Sequence, residues 1–177
     1  MESSFSELTT RLGDTIGSLS SAETQAGLPE RWNIQQIVQH LTLTYTSTGT
    51  IVSQRLNKGR PTRAEASLGQ QVKRFFVVRI GYFPRGVTAP LAVTPPGEGR
   101  RFAGGELLKH AQEQLMRLDQ LLEMASALFG GQTRFVSHMI LGPLNAWEWR
   151  RFHLVHGVHH IHQIEEMRRK LISRSSL

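Results

Sequence analysis

Apolar residues recur at intervals of three and four in four separate stretches of the chain, with segments rich in glycine, proline and serine between them. That period is the helical one, so four amphipathic helices are expected. The first, about Phe5–Leu19, carries Phe5, Leu8, Leu12, Ile16 and Leu19 on one face, and Ser20, Ser21 and the run Gly27–Pro29 break it. The second begins at Asn33, which with Gln36 three positions on has the spacing of a capping box, and Trp32 and Ile37 flank that cap as a hydrophobic staple. It runs to about Leu56, ahead of Gly59 and Pro61. The third, about Glu106–Phe129, repeats Leu107, Ala111, Leu115, Leu118, Leu122 and Ala125 before Gly130-Gly131 stops it. The fourth, about Ala146–Leu171, repeats the capping-box spacing with Asn145 and Glu148 and the staple with Leu144 and Trp149. Its Arg168, Arg169 and Lys170 complement the negative end of the helix dipole.

Between Gly59 and Gly104 the pattern is weaker. The apolar run Phe75–Ile80 reads as either a short helix or one strand, and Gly86–Arg101, with Pro90, Pro95 and Pro96, reads as an extended crossover. Loops of that length in compact domains are often functional. The expected fold is all-α: one four-helix-bundle domain spanning 1–177, with a long crossover between the second and third helices.

At 177 residues a single domain buries about 70% of the surface its unfolded chain exposes, so a real core needs no covalent staples. The absence of cysteine excludes disulfides, thiolate metal sites and cysteine nucleophiles, and leaves His, Asp and Glu as the metal ligands on offer. No run approaches the roughly 18 apolar residues of a membrane span. The start of the chain lacks the basic and apolar regions of a secretory signal, and Glu2 and Glu7 oppose a transit peptide, so the expected location is the cytoplasm. A net charge of +7, from 21 Lys and Arg against 14 Asp and Glu, raises the question of an anionic partner. The basic residues are spread along the chain, and no aromatic residues interleave the clusters Arg100-Arg101, Arg150-Arg151 and Arg168–Lys170. The charge therefore reads as a solvated surface rather than a nucleic-acid site.

Five of the eight histidines, His153, His156, His159, His160 and His162, lie within ten residues of the fourth helix. At about 100° per residue, the face that holds Trp149, Phe152, Ile164 and Met167 also holds His153, His156 and His160, while His159 lies on its flank and His162 points away. His156 and His160, at i and i+4, present paired nitrogen ligands one turn apart. The third ligand must come from another helix. His40 is the candidate, on the interior side of the second helix with Ile37, Thr44 and Ile51, where Thr44, Ser47 and Thr48 leave room for water or a ligand. A single interior histidine is ordinarily a core residue bonded to backbone or carboxylate. Three on one stripe are different, because a shared divalent cation satisfies their lone pairs at once.

Three imidazoles without a fourth protein ligand describe an open site of the catalytic kind. His153, on the same stripe, is the candidate for proton transfer or a replacement ligand. Gln163 either hydrogen-bonds a metal-bound water or packs. His110 and His138 read as surface and loop residues, and Arg100 and Arg101 are candidates to recognise an anionic substrate group. Val155, Val158 and Ile161, on the opposite side of the fourth helix, suit either self-association or packing by the long loop.

The segment Trp32-Asn33-Ile34-Gln35-Gln36-Ile37-Val38-Gln39-His40-Leu41 resembles the second-helix motif of the DinB-like helical-bundle superfamily. His156-Gly157-Val158-His159-His160-Ile161-His162-Gln163 resembles that superfamily's last-helix pattern, and Gly142-Pro143-Leu144-Asn145-Ala146-Trp147-Glu148-Trp149 is similar to an uncharacterised branch of it. Where relatives commonly have Arg-Gly before the glutamine, this chain has Ile161-His162. The loop histidine often followed by proline is His138-Met139 here, so no role carries over to His138 or His162. The resemblance implies a bundle with a long crossover and a metal site, zinc or nickel, at His40, His156 and His160. It also implies a dimer and an enzyme acting on a small-molecule substrate, with thiol-dependent transfer using a low-molecular-weight thiol as the commonest activity and hydrolysis or isomerisation as others. The function expected is a metal-dependent enzyme activating a thiol or water against a small electrophile. A metal-dependent hydrolase and a non-catalytic bundle binding metal or an anion are the alternatives.

Overall fold

Phe5, Leu8, Leu12 and Ile16 are all buried along one side of helix α1 (Ser4–Ile16), as their spacing requires. The computed structural model describes residues 4–175 apart from 85, 87, 88 and 98. The described chain is mainly α, with six α-helices and one two-stranded sheet.

Helix α1 ends three residues short of Leu19 because a second capping box follows it. The Ser20 hydroxyl accepts from the Glu23 backbone N–H, and the Glu23 carboxylate accepts from the Ser20 N–H, starting the short α2 (Ser21–Gln25). The Ser-x-x-Glu signal was present in the sequence, but five residues carry too little periodicity to mark a helix. Helix α3 (Ile34–Asn57) starts as expected: Asn33 Oδ1 accepts from Gln36 N at 2.8 Å, and Gln36 Oε1 from Asn33 N at 3.0 Å.

The segment after α3 forms α4 (Leu68–Arg74), which continues as a turn of π-helix over Phe75–Ile80, so that apolar run is helical rather than a strand. Beyond it, the described residues up to α5 hold one further short helical element, a 3₁₀ turn at Leu91–Val93. Helix α5 (Gly104–Phe129) begins hard against the end of α1. A Cβ on Gly104 would lie 1.7 Å from the Ile16 carbonyl oxygen, so only glycine fits there.

A small hairpin, β1 (Val136–His138) and β2 (Gly142–Leu144), leads into α6 (Ala146–Ser175), with His138 opposite Gly142. His138 is therefore in a strand rather than a loop. Asn145 and Glu148 cap α6 reciprocally, at 2.8 and 3.0 Å. Glu148 is also the buried anion that joins the Arg134 guanidinium, 2.9 Å away, to Arg74 at 3.7 Å, tying α4 to the start of α6.

Four helices share one core. Helix α3 runs along α5, α1 packs on α5 and α6, and α6 touches α3 and α5. Leu41, Tyr45, Leu115, Leu118, Leu122, Trp149 and Ile164 meet inside. Helices α1 and α6 approach closely at Gly157, where a Cβ would lie 2.4 Å from Leu8 Cδ1. Val155 and Ile161 are buried within the chain and Val158 is half-buried, with Val155 close to Gly81 at the end of the π-helix. At Val155 the face is thus met by the end of the π-helix. Among the described residues, no helix is long and apolar enough to cross a membrane.

Candidate metal centre

The buried stripe of α3 runs through Ile34, Ile37, Val38, Leu41, Tyr45, Thr48 and Val52, and His40 joins it. The helix is rotated from the expected position: Ser47 is exposed and Thr44 only half-buried, its hydroxyl donating to the Leu41 carbonyl at 2.7 Å. The large Tyr45 takes the interior place, because a core facing α6 closes more completely around an aromatic ring than around two small polar groups. Of the three small polar residues, Thr48 alone is buried, and it meets His153.

From α3 and α6 the fold brings together His40, His156 and His160, all buried, with one ring nitrogen of each within 4.8 Å of the others. Their Nε2 atoms converge: His160 to His156 is 3.0 Å and His40 to His156 is 3.4 Å. A tetrahedral ion about 2.0–2.1 Å from each nitrogen sets ligand nitrogens roughly 3.3 Å apart, so the spacing fits a metal.

The outer nitrogens decide where the protons are. His40 Nδ1 is 2.8 Å from the Val93 carbonyl, which can only accept, so Nδ1 carries the proton and the neutral ring's lone pair lies on Nε2. His160 Nδ1 donates to Gln163 Oε1 at 2.8 Å, and the Gln163 amide nitrogen lies 3.1 Å from His159 Nε2. Two lone pairs thus face His156 Nε2, and one proton there serves only one of them. A cation at the centre accepts all three. His156 Nδ1 is buried without a partner.

Burial holds all three rings neutral. It lowers His40 despite the opposing Val93 carbonyl, drives His156 well down with the help of His160 and His40, and pushes His160 to about 3 with the help of His40. Neutral imidazoles keep the lone pairs that a metal needs. Aromatic walls surround the cluster. Trp32, from the staple position before α3, lies 5.1 Å from the His40 ring, and Phe83 lies 4.9 Å from His156 and 5.1 Å from His159. Neither Val93 nor Phe83 stands out in the sequence, since a backbone carbonyl and a loop phenylalanine bear no pattern.

The structure does not bring His153 into this group. Its Nε2 sits 3.1 Å from Thr48 Oγ1, its ring lies between Tyr45 and Trp149, and burial pushes it to about 3. His138 packs on Phe152 and Trp149, and its Nδ1 accepts from the Ile140 and Leu141 N–H groups. His110 is exposed beside Phe102, and His162 is exposed. Arg100 is engaged with Glu106 at 2.9 Å and lies over Phe102; Arg101 is exposed.

Comparisons with curated proteins and with solved structures gave no match. Among protein families, the one described as protein of unknown function (DUF1569) matches residues 2–167, a span that includes all three converging histidines. The chain belongs to the DUF1569 family.

Proposed function

We propose that the protein is a divalent-metal-dependent enzyme whose ion is held by His40, His156 and His160. The observation that carries this is the convergence of three buried Nε2 atoms, two of them with lone pairs directed inward by their outer hydrogen bonds. Three neutral nitrogen ligands suit zinc or nickel and leave a coordination position open. When bound, such an ion lowers the pKa of a coordinated thiol or water and makes it a nucleophile near neutral pH.

The chain's own contribution is positional. The Val93 carbonyl and Gln163 set the tautomers and ring orientations of His40 and His160. Trp32 and Phe83 give the cluster apolar walls. His153 lies deeper in the core, so its contribution in this reading is to hold α6 against Thr48 of α3.

In the same reading the four long helices form a DinB-like four-helix bundle in one domain, with thiol-dependent transfer to a small electrophile as the reaction. Metal-dependent hydrolysis is the alternative, since the same open position serves water. The test is elemental analysis of the wild type beside His40→Ala and His160→Ala, followed by turnover of thiol-plus-electrophile and ester substrates before and after chelation. The expected result is about one metal per wild-type chain, little in either variant, and turnover lost on chelation and restored by metal. Equal metal in all three proteins refutes the ligand set. Stoichiometric metal without turnover leaves a binding protein and refutes the enzyme.

A further inference from the structure

Between Ala66 and Gly97 the sequence has no aspartate or glutamate, while Lys73, Arg74, Arg79 and Arg85 fall within that stretch. Its helical part, α4 continued by the π-helix, buries only Val77 and Val78 against the bundle. Its opposite side is apolar and open: Leu68 is 80% exposed, Val72 56%, Phe75 53%, Phe76 48% and Ile80 59%. Steps of four, three, one and four put these five side chains on one side of the helix.

Neighbouring segments extend the surface. The Arg79 guanidinium lies 4.9 Å over the half-exposed Trp147 ring at the start of α6. At the other end Gln70 reaches the Met139 carbonyl, which brings the exposed Met139 of the hairpin alongside. Lys73 and Arg79 are exposed on the flanks. Single exposed apolar residues are ordinary, whereas a contiguous patch of this kind marks a docking surface.

The charge selects the occupant. A second copy docking through the same face would set Lys73 and Arg79 against their own counterparts, with no carboxylate in the segment to offset them. An anionic bilayer complements both features. Its headgroups pair with the basic flanks, the acyl boundary takes up the Leu, Val, Phe and Ile side chains, and Trp147 and Tyr82 suit the headgroup level. We infer that the α4 and π-helix face docks the protein on the surface of an anionic lipid bilayer, with the helix lying in the plane of the interface. This stands independently of the metal site.

The test is co-sedimentation of the full-length protein with vesicles of phosphatidylcholine alone and of phosphatidylcholine mixed with phosphatidylglycerol. It compares wild type, Phe75→Ser/Phe76→Ser and Lys73→Glu/Arg79→Glu, with melting temperatures as a check on folding. Binding is expected with the anionic vesicles only, weakened roughly fivefold for each basic residue removed, abolished by the phenylalanine pair and released by salt. The charge pair alters no buried side chain, so it carries the test if the phenylalanine pair melts early. Failure of the wild type to pellet with anionic vesicles overturns the inference, as does equal pelleting of the charge pair. A dimer in sedimentation equilibrium that Phe75→Ser/Phe76→Ser dissociates also overturns it, because a second copy then covers the face.

Discussion

Gln163→Leu isolates the outer-sphere contribution to the metal centre. Gln163 is solvent-exposed on α6, yet its Oε1 is 2.8 Å from His160 Nδ1, a bond at the edge of the buried cluster. Without that acceptor the His160 proton is free to sit on Nε2, where it blocks the ligand lone pair, and the ring is free to turn. Loss of such a partner typically weakens metal binding 10- to 100-fold, about 1.4–2.7 kcal/mol. The lower end is expected here, because water can replace an exposed carboxamide. The change costs the metal-free fold little, within about 0.5 kcal/mol for a surface position. The assay is zinc affinity by competition with a chromophoric chelator at fixed pH, paired with melting temperature in excess chelator. Gln163→Glu keeps an acceptor at the same place and restores tight binding. Affinity of Gln163→Leu within about twofold of wild type would refute the tautomer argument, as would a loss of metal-free stability as large as the loss of binding.

Gly157→Ala is expected to destabilise the fold by about 1–3 kcal/mol, because its Cβ meets Leu8 Cδ1 at 2.4 Å. Combining it with Leu8→Ala relieves the clash, so the double variant loses less than the sum of the singles; strict additivity in urea melts contradicts the close approach. For acid sensitivity, His153 has a folded-state pKa of about 3 against an ordinary 6.5, so the folded protein holds fewer protons than the unfolded. Stability from this group is therefore complete above about pH 6.5 and is lost as pH falls towards 3, a loss of about 2 kcal/mol between pH 7 and pH 5. Unfolding free energies from urea melts in chelator should fall by that much more for wild type than for His153→Gln between pH 7 and pH 5; equal dependence on pH counts against the buried neutral ring. Glu148→Ala leaves Arg74 without its carboxylate and opens the α6 cap, and a loss of about 3 kcal/mol is expected from the same urea melts. A loss below about 1 kcal/mol means that the ion pairs do not hold α4 to α6.

The helices were legible because their determinants are local. The Asn33-Gln36 and Asn145-Glu148 boxes each close within four residues, and both form as their spacing predicts. The short α2 and the hairpin were not legible, since five- and three-residue elements carry too few periods to stand out. The π-helix lay between two readings for a related reason. A mostly apolar run of six fits a buried strand or one helical turn, and the packing of Val77 and Val78 on the bundle decides.

The candidate site divides in the same way. Helical spacing alone places His156 and His160 on one face of α6, whatever that helix packs against. That His40, 116 residues before His156, brings its Nε2 within 3.4 Å is a property of how α3 meets α6. The tertiary structure also supplies the Val93 carbonyl from the middle of the crossover, sends His153 to Thr48 instead of to the cluster, and turns Ser47 outward. Local spacing specifies which side of a helix a residue occupies to within about one position. Its neighbours across the core depend on the rotation and crossing of two helices, which the packing of side chains from distant parts of the chain decides.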